Sequence, residues 1–178
     1  MIVRDVDVLQ QASAAADGVT VNISIPTLDD EVWRTTEPGT AHPRQRLRAV
    51  RVLADAGIRA GVGMAPILPG LSDDPVKLRD VVLAARDAGA SHLWWNVVNL
   101  RPGTREHFLE HLARDWPEEV DRYQRLFAGR AYLPKAATRE LDATMAELRS
   151  EWVWTPRRRE PATLRPPGST QLELPLAG

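Results

Sequence analysis

Residues 19–25 (Val-Thr-Val-Asn-Ile-Ser-Ile) alternate apolar and polar side chains, are rich in β-branched types and are stopped by Pro26, a pattern that predicts a strand. Over 44–56, Leu47, Val50, Leu53 and Ala54 recur at helical spacing, with Pro43 at the start and Gly57 just beyond the end. An amphipathic helix is expected there. The small apolar run that follows predicts a second strand over 60–66, leading into the turn Pro69-Gly70. Leu78, Val81, Val82 and Ala85 mark another helix, opened by Pro75 and closed by Gly89, and a third strand is expected over 92–98. Beyond it the pattern is helical, over 104–114, 118–126 and 135–154, and residues 4–16 form a helix leading into the first strand.

Laying Asp55-Ala56-Gly57 on Asp87-Ala88-Gly89 aligns helix end with helix end and carries Pro69-Gly70 onto Pro102-Gly103, a period of 32 to 33 residues. Helix, Asp-Ala-Gly, strand and Pro-Gly loop is the rhythm of α/β units with parallel strands, against which stands chance repetition in an α+β fold. Three parallel strands cannot close a barrel, and a parallel sheet needs cover on both faces. The expected fold class is therefore α/β, an incomplete βα partial barrel of about three parallel strands with a helical carboxyl-terminal extension, over 1–154. It starts partway through a unit, and its remaining strands are either absent or on another polypeptide. Five of the 14 Pro fall between Pro156 and Pro175, beside Arg157, Arg158, Arg159 and Arg165, so a disordered tail is expected over 155–178.

Charge and composition narrow the chemistry. With 23 Lys+Arg against 24 Asp+Glu, the chain lacks the positive balance that holds nucleic-acid phosphates. No leader and no long apolar run is evident, which suggests a cytoplasmic protein without a membrane segment. The absence of Cys removes disulfides, thiol nucleophiles and thiolate-held metal clusters from what this chain does alone. No phosphate-binding Gly loop or nucleophile elbow occurs. His107 and His111 stand four apart, a spacing that can chelate zinc, but the order is not His-Glu-x-x-His and no third ligand is evident, so no metal ligand is assigned. The run 171–176 is similar to short motifs that bind the bacterial sliding clamp, with Pro175 out of place.

Ligands of parallel α/β folds bind at the carboxyl ends of strands, here the loops after Ile25, Met64 and Val98. Ser24, at a strand end, either completes the polar half of the alternation or hydrogen-bonds a ribose hydroxyl. Glu37 and Arg46 form either an ordinary ion pair or part of a site wall. Backbone edges around Ala65, Pro66 and Ile67 suit a purine in a mostly apolar pocket, and the same prolines suit a tight turn. Trp94 and Trp95, adjacent on a strand, must face opposite ways, one into the core and one into the barrel interior. Trp95 and Arg101 are the expected substrate wall; Arg101 and Arg105 suit a phosphate or carboxylate, or are solvated surface side chains.

At these residues the chain resembles the carboxyl-terminal half of a radical S-adenosylmethionine protein, in the branch similar to spore photoproduct lyase. The resemblance rests on Ser24-Ile25-Pro26-Thr27, Glu37-Pro38, Pro43-Arg44-Gln45-Arg46-Leu47, Ala56-Gly57, the run 65–73 (Ala-Pro-Ile-Leu-Pro-Gly-Leu-Ser-Asp), Asn99-Leu100-Arg101-Pro102-Gly103 and Phe108-Leu109. It covers roughly residues 2–152. It implies a partial barrel of six βα units with the last three here, S-adenosylmethionine and a four-iron, four-sulfur cluster as cofactors, and lyase-like radical chemistry on an unknown substrate. It also implies that Ser24 contacts the nucleoside, that Glu37 and Arg46 order that wall, and that Ala65, Pro66 and Ile67 pack on the adenine. The family's Cys-x-x-x-Cys-x-x-Cys loop is missing, so no catalysis is expected from this chain alone; a missing amino-terminal half or a partner chain must carry it. The alternative is a non-catalytic α/β binding module whose exposed sheet edge pairs with a partner.

Overall fold

The computed structural model describes residues 2–15 and 18–150. The expected tail over 155–178, the clamp-like run and the last residues of the helix expected over 135–154 lie outside them. A 3₁₀ turn leads into α1 (Val6–Ala15), then β1 (Thr20–Ser24), α2 (Asp30–Thr36), α3 (Pro43–Asp55), β2 (Arg59–Ile67), α4 (Pro75–Asp87) and β3 (His92–Val97). A helical region follows, with α5 (Thr104–Asp115), a 3₁₀ turn at Pro117–Glu119, α6 (Val120–Leu126) and α7 (Lys135–Ser150). The architecture is α/β, with three parallel strands in the order β1-β2-β3.

Local signals explain the boundaries. Asp74 accepts from the amides of Val76 and Lys77 at the start of α4, with Pro75 in the first turn, where its missing N–H costs nothing. His42 plays the same part for α3, its Nδ1 accepting from Arg44 N at 3.1 Å. Both helices end where Gly57 (φ +77°) and Gly89 (φ +80°) take the left-handed conformation. The Asp-Ala-Gly repeat is thus a repeated helix stop. At Gly89 a Cβ would also lie 3.2 Å from the Ala54 methyl, which would have to give by a few tenths of an ångström.

Register decides which side chains share a face. Thr20 pairs with Arg59 and Ser24 with Gly63, while Gly61 pairs with His92 and Gly63 with Trp94. One face therefore presents Val21, Ile23, Ala60, Val62, Met64, Leu93 and Trp95, packed with Val50 and Leu53 of α3, Leu78, Val81, Val82 and Ala85 of α4, and Met145 and Leu148 of α7. The other presents Thr20, Asn22, Ser24, Gly61, Gly63, His92, Trp94 and Asn96. Of these, Thr20, Asn22, Ser24, Trp94 and Asn96 are exposed. The β2–β3 register slips between Met64 and Ile67, at Ala65 and Pro66, where proline has no N–H to give the ladder. A second, smaller core joins Leu68, Leu71, Leu100, Leu112, Tyr123 and Phe127 under α5 and α6.

The region after β1, expected as loop, contains α2. It is only seven residues long, and Asp29 nucleates it by accepting from the amides of Glu31 and Val32. Periodicity over two turns is too short to distinguish from a polar loop. No helix among the described residues is long and apolar enough to cross a membrane.

Candidate functional site

At the carboxyl ends of β1 and β2, side chains from distant parts of the chain converge. The Ser24 hydroxyl donates to the Ala65 carbonyl at 2.8 Å, across 41 positions of sequence. Arg46, from the first turns of α3, reaches back over the end of β1. Its Nη1 donates to Ser24 O (2.9 Å) and Glu37 Oε1 (3.1 Å), its Nη2 to Thr40 Oγ1 (2.6 Å), and its Nε to Ala41 O (2.7 Å). The pair is largely withdrawn from solvent, with Arg46 and Glu37 side chains 11% and 22% exposed. That degree of burial separates it from an ordinary surface ion pair. Glu37 Oε2 is buried and accepts no hydrogen bond from the described residues. It is an acceptor ready for a ligand donor.

Beside this cluster the Ala65–Pro66 peptide is cis, and Pro66 is exposed while Ala65 is half-buried. Ile67 differs: its side chain is fully buried in the main core, so only its backbone borders the strand ends. Asp29, on the same side of the sheet ends, pairs with Lys77 Nζ at 2.7 Å, and that hydrogen bond holds its carboxyl below the usual range.

The uncovered sheet face carries its own network. Trp94 Nε1, which can only donate, points to Asn22 Oδ1 at 3.2 Å, so the 2.8 Å contact from His92 Nε2 to the same oxygen is also a donation. The His92 and Trp94 rings lie over Gly61 and Gly63, where a Cβ would collide with them. Burial, followed by the charge of Arg59, pushes the His92 imidazole below its ordinary value. Trp94, not Trp95, shares this face with Ser24.

Trp95 points to the helix side, where its Nε1 donates to Asp142 Oδ1 (3.1 Å) and Thr138 donates to Asp142 Oδ2 (2.9 Å). It borders a cavity of about 200 Å³ with Asn96, Val98, Tyr132 and Asp142. Arg101 is not among the lining residues; it donates to the hydroxyl of Tyr132, which is, at 2.5 Å. The expected wall of Trp95 and Arg101 is therefore not formed: Trp95 faces the helices rather than the side that carries Ser24, and Arg101 reaches Tyr132 instead. Arg105 is spent on the Arg130 carbonyl.

On α5, His107, Glu110 and His111 each offer a donor atom, all within 4.8 Å of one another. Sequence reasoning counted the two histidines and overlooked Glu110. The signal was the spacing itself, His-x-x-Glu-His, which sets all three on adjoining positions of one helix surface.

Fold and clusters define an α/β protein with a half-covered parallel sheet and a polar network at its strand ends. Uncharacterized proteins of Mycobacterium bovis and Mycobacterium tuberculosis are 33% identical to this chain over 145 residues, 82% of the chain and 42% of each relative. An uncharacterized protein of Acidianus two-tailed virus is 32% identical over 82 residues, 46% of the chain and 25% of that protein. The chain thus spans about two fifths of the length of the mycobacterial relatives it matches. No family model matches it, and neither does any solved structure.

Proposed function

We propose that the chain forms the carboxyl-terminal half of a cytoplasmic radical S-adenosylmethionine-type protein, with the strand-end cluster as one wall of its nucleoside site. The observation that carries this reading is the convergence of Ser24, Glu37, Arg46 and Ala65 at the ends of β1 and β2. Two further features support it. A parallel sheet covered on one face only is an unfinished structure, since such sheets are stable when both faces are packed. The relatives also extend well beyond the matched segment, leaving length for further strands.

The chain has no cysteine, so its residues do not fit the ligand set of an iron–sulfur cluster, and no step is derived through one. What its own residues do is bind and orient. The Ser24 oxygen, having donated its proton to Ala65 O, still accepts from a ribose hydroxyl. Arg46 braces the wall through four acceptors, and the idle Glu37 Oε2 receives a ligand hydroxyl or ammonium donor. The cavity at Trp95 lies on the helix-packed side of the sheet, away from the Ser24 cluster, and is not the substrate side of that site.

The test is to recover the native product anaerobically through a carboxyl-terminal tag, weigh it against 19.8 kDa, and assay release of 5′-deoxyadenosine from S-adenosylmethionine under reduction. The reading expects a Cys-x-x-x-Cys-x-x-Cys segment in the product or a co-purifying chain, with deoxyadenosine formed. A colourless 19.8 kDa product without either overturns it and leaves a partner-binding module.

A further inference from the structure

We propose that His107, Glu110 and His111 form a divalent transition-metal site, with zinc as the fitting ion, on the outer surface of α5. The site is independent of the nucleoside reading and uses none of its residues. Two imidazoles and a carboxylate are the donor set of three-ligand zinc centres, and nitrogen-rich sites of this kind exclude magnesium and calcium in favour of zinc, nickel or copper.

The geometry is close to what binding requires. Zinc bonds of about 2.1 Å in a tetrahedron place ligand atoms about 3.4 Å apart. The three donors lie within 4.8 Å of one another, a gap that side-chain torsion closes because His107 and Glu110 are exposed and free to turn. The two rings already approach to 4.2 Å between centroids. His111 is also oriented: its Nδ1 lies 2.9 Å from the His107 carbonyl, an acceptor only, so Nδ1 carries the proton and the Nε2 lone pair is presented outward. A backbone carbonyl that fixes the tautomer of a metal-binding histidine is the usual supporting interaction in such centres.

Three protein ligands leave a fourth position open. His107 and His111 border a cavity of about 250 Å³ between α5 and the end of α2, with Thr36, Pro38, Phe108 and Trp116 in its wall. One turn beyond His111, Asp115 is not a competing ligand: Arg114 binds its carboxylate through two hydrogen bonds, of 2.7 and 2.8 Å. The open position therefore takes water or a small ligand entering from the cavity.

The test is calorimetric titration of Zn²⁺ into the full 178-residue chain, with Co²⁺ absorption as a report of coordination. The expected result is one saturable ion per chain and the intense visible bands of low-coordinate cobalt. H107Q, H111Q and E110Q should each weaken binding at least ~10-fold, since loss of even an outer supporting group costs that much. In the unsubstituted chain, Zn²⁺ should shift the ring resonances of His107 and His111 and leave those of His42 and His92 in place. Absence of saturable binding, equal affinity in any of the three variants, or ring shifts at His42 or His92 instead overturns the proposal.

Discussion

Gly61→Ala tests the organisation of the open sheet face. Gly61 sits mid-strand with ordinary extended backbone, so alanine is conformationally acceptable and stabilises by about 0.4–1 kcal/mol through the unfolded chain. Space works against it. The added methyl would fall within the His92 ring and 2.8 Å from Asn22 Oδ1. The ring must move, breaking the hydrogen bond from His92 to Asn22 (2.8 Å) at a cost of about 1 kcal/mol, while overpacking adds about 1–3 kcal/mol. The clash outweighs the entropy gain, and G61A is expected to be less stable by about 1–3 kcal/mol, a fall in Tm of about 2–12 °C at this chain length. Urea denaturation measures the loss directly. Displacement also returns His92 to solvent, so its imidazole should titrate closer to the ordinary value of 6.5, from which burial now lowers it; the ring resonance reports this. The decisive comparison is the double-mutant cycle with H92A, in which the ring overlap is gone and the larger part of the penalty disappears, leaving only the approach to Asn22 Oδ1. A penalty undiminished in the H92A background, or a G61A protein as stable as the original, would refute the stacking of His92 on Gly61.

Two further substitutions probe the interior. Arg46→Ala leaves the Glu37 carboxylate without its partner and Ser24 O and Ala41 O without this donor, while Thr40 Oγ1 keeps its bond from Trp33 Nε1 (3.2 Å), so a loss of about 2–4 kcal/mol in chemical denaturation is expected. Arg46→Lys should recover only part of it, because one ammonium cannot span four acceptors; full recovery would show that charge alone matters. Tyr123 is fully buried, its hydroxyl has no hydrogen-bond partner among the described residues, and burial drives its ionisation far above the ordinary value of 10.0. Y123F should therefore be neutral or stabilising by about 1 kcal/mol. The sign with pH follows from the raised folded value: above pH 10 the unfolded chain releases this proton while the folded chain keeps it, so stability falls as pH rises, by up to about 1.4 kcal/mol per unit. Measured between pH 9 and 11.5, that part of the slope should vanish in Y123F.

The strands and most helices were legible because their signals are local. Observed β1, β2 and β3 lie within a residue or two of the expected 19–25, 60–66 and 92–98, and α3 and α4 begin at the prolines and stop at the glycines that marked them. The helix expected over 118–126 is real but opens as a 3₁₀ turn at Pro117. The pairing of Glu37 with Arg46 was one of the two readings of those residues, whereas a site that gathers Ser24, Glu37, Arg46 and Ala65 was expected only through the family resemblance. Spacing alone cannot deliver contacts set by strand register and by a helix folding back. The same limit governs Trp94 and Trp95: alternation says they oppose each other, whereas only the pairing of Gly63 with Trp94 says which one faces the helices. Glu110 was missed for another reason, since its order relative to the histidines was compared with a single motif.

The interior of this one chain divides into two packed cores, and each is expected to open as its own unit. Leu112, Tyr123 and Phe127 pack with Leu68, Leu71 and Leu100, not with the residues beneath the sheet. Opening of α5 and α6 thus exposes the smaller unit while the strands stay packed, and such subglobal openings cost less than unfolding the whole. A ligand held by α5 at a hundred times its Kd would raise the opening free energy of that unit by about 2.7 kcal/mol. The strand ends are not sealed off from it: Thr36 and Pro38, on either side of Glu37, border the same cavity as His107 and His111.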